Sequence, residues 1–358
     1  MDRKKGTMDH TLLILVVILI VFGLTVLLST SAYNGQVKFS DPASYFKKQF
    51  FATILGVVAM YVVAEMDYHD LEKWAGAAYL LSLVLSTLVL FVGASINGSR
   101  RWLSLGPLSF QPSEFAKPAG ILFLARTISR REKKKKGMLE LFRTLVLILP
   151  IVGLVGTSNL STAVIILGIA VILVFVSSPF YLPFVGLFGA GAGFMGIFLG
   201  LESYRLERIA IWRDPESYEK GFQTIQGLYA IGSGGLFGTG LGGSIQKLGF
   251  VPEAQNDMIF SIICEELGLV GAGILLLLFL VLIWRFFLVS VHAPDLLGSL
   301  IAAGVMGHIS IQVILNVAVV TNTIPNTGIT LPFVSYGGTS ILFLLAEMGL
   351  VLGISRKC

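Results

Sequence analysis

Residues 250–268 read FVPEAQNDMIFSIICEELG, and four carboxylates (Glu253, Asp257, Glu265 and Glu266) sit where a polar turn becomes a long apolar run. Pro252 is costly inside a helix, and Gln255–Asn256 offers an N-cap just before the apolar residues. The pattern predicts a membrane span that starts with Asp257 in its first turn, where the helix dipole favours the ionised carboxylate and a low pKa. Glu265 and Glu266 then lie roughly 12–14 Å deeper, at ~1.5 Å per residue. An ionisable side chain inside a span marks a functional site by default, so the topology that decides what reaches these acids comes next.

The 358-residue chain is 55% hydrophobic and 13% charged, with a mean hydropathy of +0.84. Soluble domains carry about 25% charge, so this composition is that of an integral membrane protein. Apolar runs long enough to cross a ~30 Å core lie near 11–30, 48–66, 74–93, 110–128, 141–157, 160–177, 179–201, 259–284, 296–320 and 338–354. The expected fold is therefore all-α, ten transmembrane helices in one domain spanning 1–358. The first run follows MDRKK and is longer than a signal-peptide core, so it reads as a retained span. Fifteen basic residues fall on the side of both termini, the densest run being SRREKKKKG at 129–137. Five (Lys38, Lys47, Lys48, Arg100 and Arg101) fall in short loops on the other side. By the positive-inside rule both termini are cytoplasmic, and residues 202–258 form one long extracellular loop between helices 7 and 8.

The four histidines are scattered and the two cysteines, Cys264 and Cys358, make no disulfide framework. Gly238, Gly240 and Gly243 satisfy G-x-G-x-x-G, but without a strand–turn–helix context they read as a tightly folded re-entrant or surface loop, and no nucleotide cofactor is expected. In RRWLSLGPLSFQPSEFAKPAG, residues 100–120, Glu114 and Lys117 sit at i and i+3 and share a helix face. They either pair with each other or leave Lys117 to meet Asp257 or Glu266. Arg100, Arg101, Arg205, Arg208 and Arg213 add outer-side cations suited to phosphate, and Trp102 and Trp212 suit the interface. These residues describe an outward-facing site lined by acids and cations. A transferase using a lipid-carried donor and a carrier using the same charges both fit, and neither partner needs to be nucleic acid.

The stretches RRWLSLGPLSFQPSEFAK, YRLERIAIWRDP, GFQTIQGLYAIGSGGLFGTGLGGSIQKLGFVPEAQNDMIF, EELG and IPNTGITLPFVSYGGTS occur in an order that resembles the SEDS family (shape, elongation, division and sporulation). Thr330 before Leu331 places the resemblance nearest the FtsW/SpoVE branch. The resemblance implies a ten-helix enzyme of the bacterial cytoplasmic membrane that polymerises peptidoglycan strands from lipid II, for division, shape or sporulation. It also implies work beside a class B penicillin-binding protein that crosslinks the product, with other division, elongation or sporulation proteins.

By position, the resemblance makes Asp257 the essential aspartate, acting as a base or holding a divalent cation, Mg2+ or Mn2+. Trp102, Glu114 and Lys117 match motif positions at the outer mouth of the fourth span, Arg205 and Arg208 match loop arginines, and Arg101 joins them in binding substrate. SYGGTS at 335–340 matches the signature before the last span. In TSNLST at 157–162, Asn159 stands where the family carries an acid, so no role passes to that position. The implied chemistry is inverting transfer, with the GlcNAc 4-hydroxyl of one lipid II attacking the anomeric carbon of another and releasing undecaprenyl pyrophosphate. A lipid II flippase that makes no bond, and a scaffold without chemistry, are the alternatives.

Overall fold

The structure is a computed structural model that describes residues 8–96, 99–105, 108–132, 138–178 and 209–358. Its helices are α1 (His10–Phe39), α2 (Ser44–Glu65), α3 (Tyr68–Val92), α4 (Pro112–Glu132), α5 (Met138–Ser158) and α6 (Leu160–Ser177), then α7 (Phe222–Gly234), α8 (Ile259–His292), α9 (Leu296–Val320) and α10 (Gly338–Ser355). Each expected span has a helix except 179–201, which lies outside the described residues. Among those residues, seven helices are long and apolar enough to cross a membrane. Large apolar side chains point outward along them, Val37 on α1 being 66% exposed and Tyr61 on α2 65%, as expected of surfaces facing lipid rather than water.

Among the described residues the fold is helical apart from one short sheet. Strands β1 (Ala94–Ile96), β2 (Ser99–Leu105) and β3 (Leu108–Phe110) pair antiparallel in the order β1-β2-β3. An all-α reading missed them because all three lie in the one short segment between α3 and α4. The turn-forming dipeptides Asn97–Gly98 and Gly106–Pro107 were the available signal.

The stretch expected as one long loop at 202–258, with a tightly folded Gly-rich part, holds regular structure where it is described. It holds α7 and then a Gly-rich segment that inserts into α8. The backbone N–H of Thr239 and Gly240 donate to the carbonyls of Glu265 and Glu266 (both 2.9 Å), while Leu269 and Val270 donate to Gly235 and Leu236 (2.9 and 3.1 Å). Those four groups would otherwise bond one another along the helix. The insertion breaks α8 at Gly268, whose φ of +66° lies in the left-handed region. Backbone this irregular is tolerated inside a membrane bundle only where protein satisfies it, as here.

The two ends of the bundle are held differently. At one end Arg285 reaches Asp9 (2.6 Å), Arg356 reaches Glu65 (2.6 Å), Lys357 reaches Asp67 (2.6 Å) and Arg130 reaches Glu72 (2.6 Å). The N–H of Asp9 bonds Ser355 Oγ (3.1 Å), so both chain ends lie on this face. At the opposite end Asn34 of α1 donates to Gln255 (2.8 Å), and the Gly337 N–H donates to Gln49 of α2 (3.0 Å). The basic residues described at the first end belong to the fifteen-member set, and Lys38, Lys47 and Lys48 lie at the second.

Candidate functional site

Asp257 sits in a turn, two residues before α8 begins, and not in the helix's first turn. Segment 253–257 is woven into the loop before α10. Tyr336 N–H donates to the Gln255 carbonyl (2.9 Å), Ser335 Oγ to the Asn256 carbonyl (2.6 Å), and Asn316 Nδ2 to the carbonyls of Asp257 (2.9 Å) and Ile329 (2.7 Å). Ser335 Oγ also accepts from Leu331 N–H (2.8 Å). Glu253 takes a left-handed φ of +54°, and its carboxylate accepts from the Asn256 amide. Gly328 lies against Asp257 Oδ2, where an added Cβ would come within 3.6 Å.

This packing changes the electrostatics expected of Asp257. Burial pushes its carboxyl up to about 7, and the nearby Glu253 charge adds to the rise against the lowering by its backbone N–H and Gln223. The low pKa of a first-turn aspartate does not hold, because loss of solvent outweighs the helix end. Its Oδ1 is buried with no hydrogen-bond partner among the described residues.

Behind this turn, α4 presents Glu114 and Lys117 as an internal pair, Nζ–Oε2 2.9 Å, with side chains 10% and 2% exposed. Lys117 also donates to Gln312 Oε1 of α9 (3.3 Å), and the Gln312 amide donates to the Thr330 carbonyl (3.0 Å). Lys117 therefore meets neither Asp257 nor Glu266 directly. It supports the 329–331 segment that flanks Asp257.

Arg101 and Trp102 lie on β2, at the same end of the bundle. Arg101 Nε donates to the Ser158 carbonyl (2.7 Å) at the α5–α6 junction. There Asn159, in the place of the missing acid, caps α6 by accepting from Thr162 N–H (3.2 Å), and Ser161 Oγ donates to the Thr327 carbonyl (2.9 Å). Trp212 Nε1 donates to the Asn322 carbonyl (2.9 Å), fastening the helical stretch 209–213 to the end of α9. Arg205 and Arg208 lie outside the described residues.

The two deeper acids serve the fold. Glu266, 1% exposed, pairs with Lys247 (2.6 Å) and accepts from Ser29 Oγ of α1 (2.9 Å). Glu265 accepts from the Ser244 hydroxyl and from Ile245 N–H (3.0 Å). Both clamp the inserted Gly-rich segment. Reading the chain in order also missed His308 and Glu347, which meet at 2.7 Å inside the bundle. Ionisable residues in the middle of two apolar spans were the signal.

The profile of the FtsW/RodA/SpoVE family, described as a cell cycle protein family, matches residues 9–358. Stage V sporulation protein E of Bacillus subtilis (strain 168) is 40% identical, covering 99% of each chain. A probable peptidoglycan glycosyltransferase FtsW of Haemophilus influenzae is 36% identical over 98% of this chain and 90% of its own. Among solved structures, a chain of a peptidoglycan synthase complex described as coordinating polymerization and crosslinking superposes with a TM-score of 0.82 at 32% identity, covering 98% of both chains. The crystal structure of the Rod shape determining protein RodA of Thermus thermophilus gives 0.73 at 31% identity, covering 98% of this chain and 97% of that one. Full-length similarity at these identities, over both sequence and fold, makes this chain a member of the FtsW/RodA/SpoVE family of cell cycle proteins.

Proposed function

We propose that the chain is a peptidoglycan glycosyltransferase that polymerises lipid II by inverting transfer, with Asp257 as its base. The observation that carries the assignment of Asp257 is its place in a turn tied to the loop before α10, with Oδ1 unpartnered among the described residues and the carboxyl pushed up to about 7 by burial, in a chain whose full-length relatives bear the name glycosyltransferase. A general base works best with a pKa near the working pH. Asp257 takes the proton of the acceptor GlcNAc 4-hydroxyl as its oxygen attacks the donor's anomeric carbon. The bond from that carbon to pyrophosphate breaks, and undecaprenyl pyrophosphate leaves with the electron pair. One base suffices for inversion, whereas a retaining enzyme needs a second carboxylate about 5 Å away.

Arg101 and Trp102 border the donor's path, and Arg205 and Arg208 are assigned to the pyrophosphate oxygens. Glu114 and Lys117 act from behind, by fixing the segment next to Asp257. No group of three or more histidine, cysteine or acidic side chains among the described residues is placed to hold a metal. The unpartnered Oδ1 of Asp257 fits one ligand position of Mg2+ or Mn2+, with substrate oxygens and water supplying others. Such a cation, when bound, offsets charge on the pyrophosphate.

The Asp257 end faces outward and the chain termini face the cytoplasm, in a bundle of ten spans of the bacterial cytoplasmic membrane. A class B penicillin-binding protein is the proposed partner. The test is reconstitution of the full chain with that partner and labelled lipid II. A ladder of glycan lengths is expected, and lipid II that crosses the bilayer without being extended would assign a flippase instead.

A further inference from the structure

One face of α9 carries His308, Gln312 and Asn316, at i, i+4 and i+8; His308 bonds Gln312, and Gln312 and Asn316 each bond the 329–330 segment beside Asp257. Asn316 holds the Asp257 and Ile329 carbonyls. Gln312 holds Thr330 through its amide nitrogen (3.0 Å to the carbonyl, 3.3 Å to Oγ1). Its Oε1 lies 3.3 Å from Lys117 Nζ and 2.8 Å from His308 Nε2. His308 Nδ1 lies 2.7 Å from Glu347 Oε2 of α10. His308 is 2% exposed and Glu347 is fully buried.

Donor and acceptor chemistry fixes most of the hydrogens among these groups. An ammonium cannot accept, so the Gln312 atom facing Lys117 is the oxygen, and its amide nitrogen faces Thr330. That oxygen cannot donate, so His308 Nε2 carries a hydrogen. Nδ1 then either donates, from an imidazolium carrying both hydrogens, to a Glu347 carboxylate or accepts from a protonated Glu347. Both arrangements leave the hydrogen on Nε2. Without Glu347 the imidazole can put its single hydrogen on Nδ1 instead, and a bare Nε2 would then face the Gln312 oxygen.

We propose that His308 and Glu347 are a positioning pair: Glu347 selects the Nε2–H form of His308, which locks the Gln312 amide and thereby holds Thr330 and the 327–331 segment against Asp257. The proposal deepens the polymerase reading and rests on it for its activity arm only. Neither residue touches substrate. The pair acts through Gln312, and its loss loosens the Gln312 amide on Thr330, while Lys117 keeps its pair with Glu114.

The experiment compares four variants of the full chain. Glu347→Gln supplies an amide N–H to Nδ1 and preserves Nε2–H. Glu347→Leu and His308→Leu remove the selection. The double His308→Leu/Glu347→Leu replaces the pair with apolar side chains, a change that buried pairs commonly tolerate without loss of fold. Amide hydrogen exchange of the 325–335 segment is measured in each, together with steady-state polymerisation of lipid II. Exchange in that segment should rise in the double variant and in both single leucine variants, and stay at the native level in Glu347→Gln. In the same proteins kcat should fall about tenfold or more with KM little changed, while Glu347→Gln stays within about threefold of native. A folded double variant with native exchange, or with native kcat, overturns the proposal. So does a Glu347→Gln variant that behaves like Glu347→Leu, which would make the charge rather than the tautomer the active property. If the native chain makes no glycan the polymerase reading fails, and exchange alone still decides this one.

Discussion

Burial by the loops that hold it pushes the Asp257 carboxyl up to about 7, and the nearby Glu253 charge adds to the rise. Two consequences follow at this residue. The rate of glycan formation at low substrate should rise with pH up to about 7 and then level off, as a pH profile of kcat/KM would record. A flat profile from pH 5 to 8 would remove Asp257 as the base. The same shift bears on stability. A carboxyl whose folded pKa lies above its unfolded value of 3.8 favours the fold below that pH, and the benefit is lost as pH rises through about 7. Asp257→Asn should therefore raise the melting temperature more at pH 8 than at pH 5. Lys247 presents a different case. Replacing it with methionine leaves Glu266 buried and unpaired, at a cost of about 3–5 kcal/mol, and adding Glu266→Leu should recover most of that in a thermal melt. The acids themselves stood out in the sequence, but their partners did not. Lys247 and Glu266 are nineteen positions apart, and only the fold of the glycine segment that precedes Lys247 and inserts into α8 brings the two together.

At the scale of elements, the break in α8 is the feature that composition hid. The apolar run from Ile259 reads as one continuous span, and it is one in sequence. The glycines of the preceding segment gain their meaning only from the helix they enter. Gly238 (φ +78°) and Gly268 (φ +66°) approach so closely that a side chain on either would strike the other's backbone. Gly268→Ala should thus cost more than the ~1–3 kcal/mol of a strained backbone alone, seen as a fall in melting temperature and faster exchange at Leu269 and Val270. Alanine at the exposed Gly240, whose φ is also positive but which has open space around it, should cost only the backbone strain. The spans themselves were legible because a bilayer demands about twenty apolar residues in a row. The sheet at 94–110 was not, because strands this short carry too few residues to show a period of two against their surroundings.

Over the whole molecule, the ion pairs that gather Asp9, Glu65, Asp67, Arg285, Arg356 and Lys357 at one end and the woven loops around Asp257 at the other give the bundle two unlike faces. The basic residues assigned to the two sides by the sequence, Arg130, Arg285, Arg356 and Lys357 against Lys38, Lys47 and Lys48, lie at opposite ends of the bundle. Cys358 is exposed at the first face and Cys264 is buried. A membrane-impermeant maleimide should label Cys358 in inverted vesicles and not in intact cells, and a Glu253→Cys variant of a Cys358→Ser chain should show the reverse. Motif order named the proposed site as a set of residues, but it did not encode their contacts. Whether Lys117 meets Asp257, Glu266 or Glu114 depends on helix rotations that no spacing encodes.

The most direct test of the central claim is glycan synthesis by Asp257→Asn. The native chain and the variant, each reconstituted with the class B penicillin-binding protein and labelled lipid II in Mg2+ or Mn2+, are compared as ladders on a gel. Loss of a general base predicts a fall of about 100- to 10,000-fold in a variant that remains folded and partner-bound. Ladders of native length and rate from Asp257→Asn would contradict the account and move the chemistry to another group.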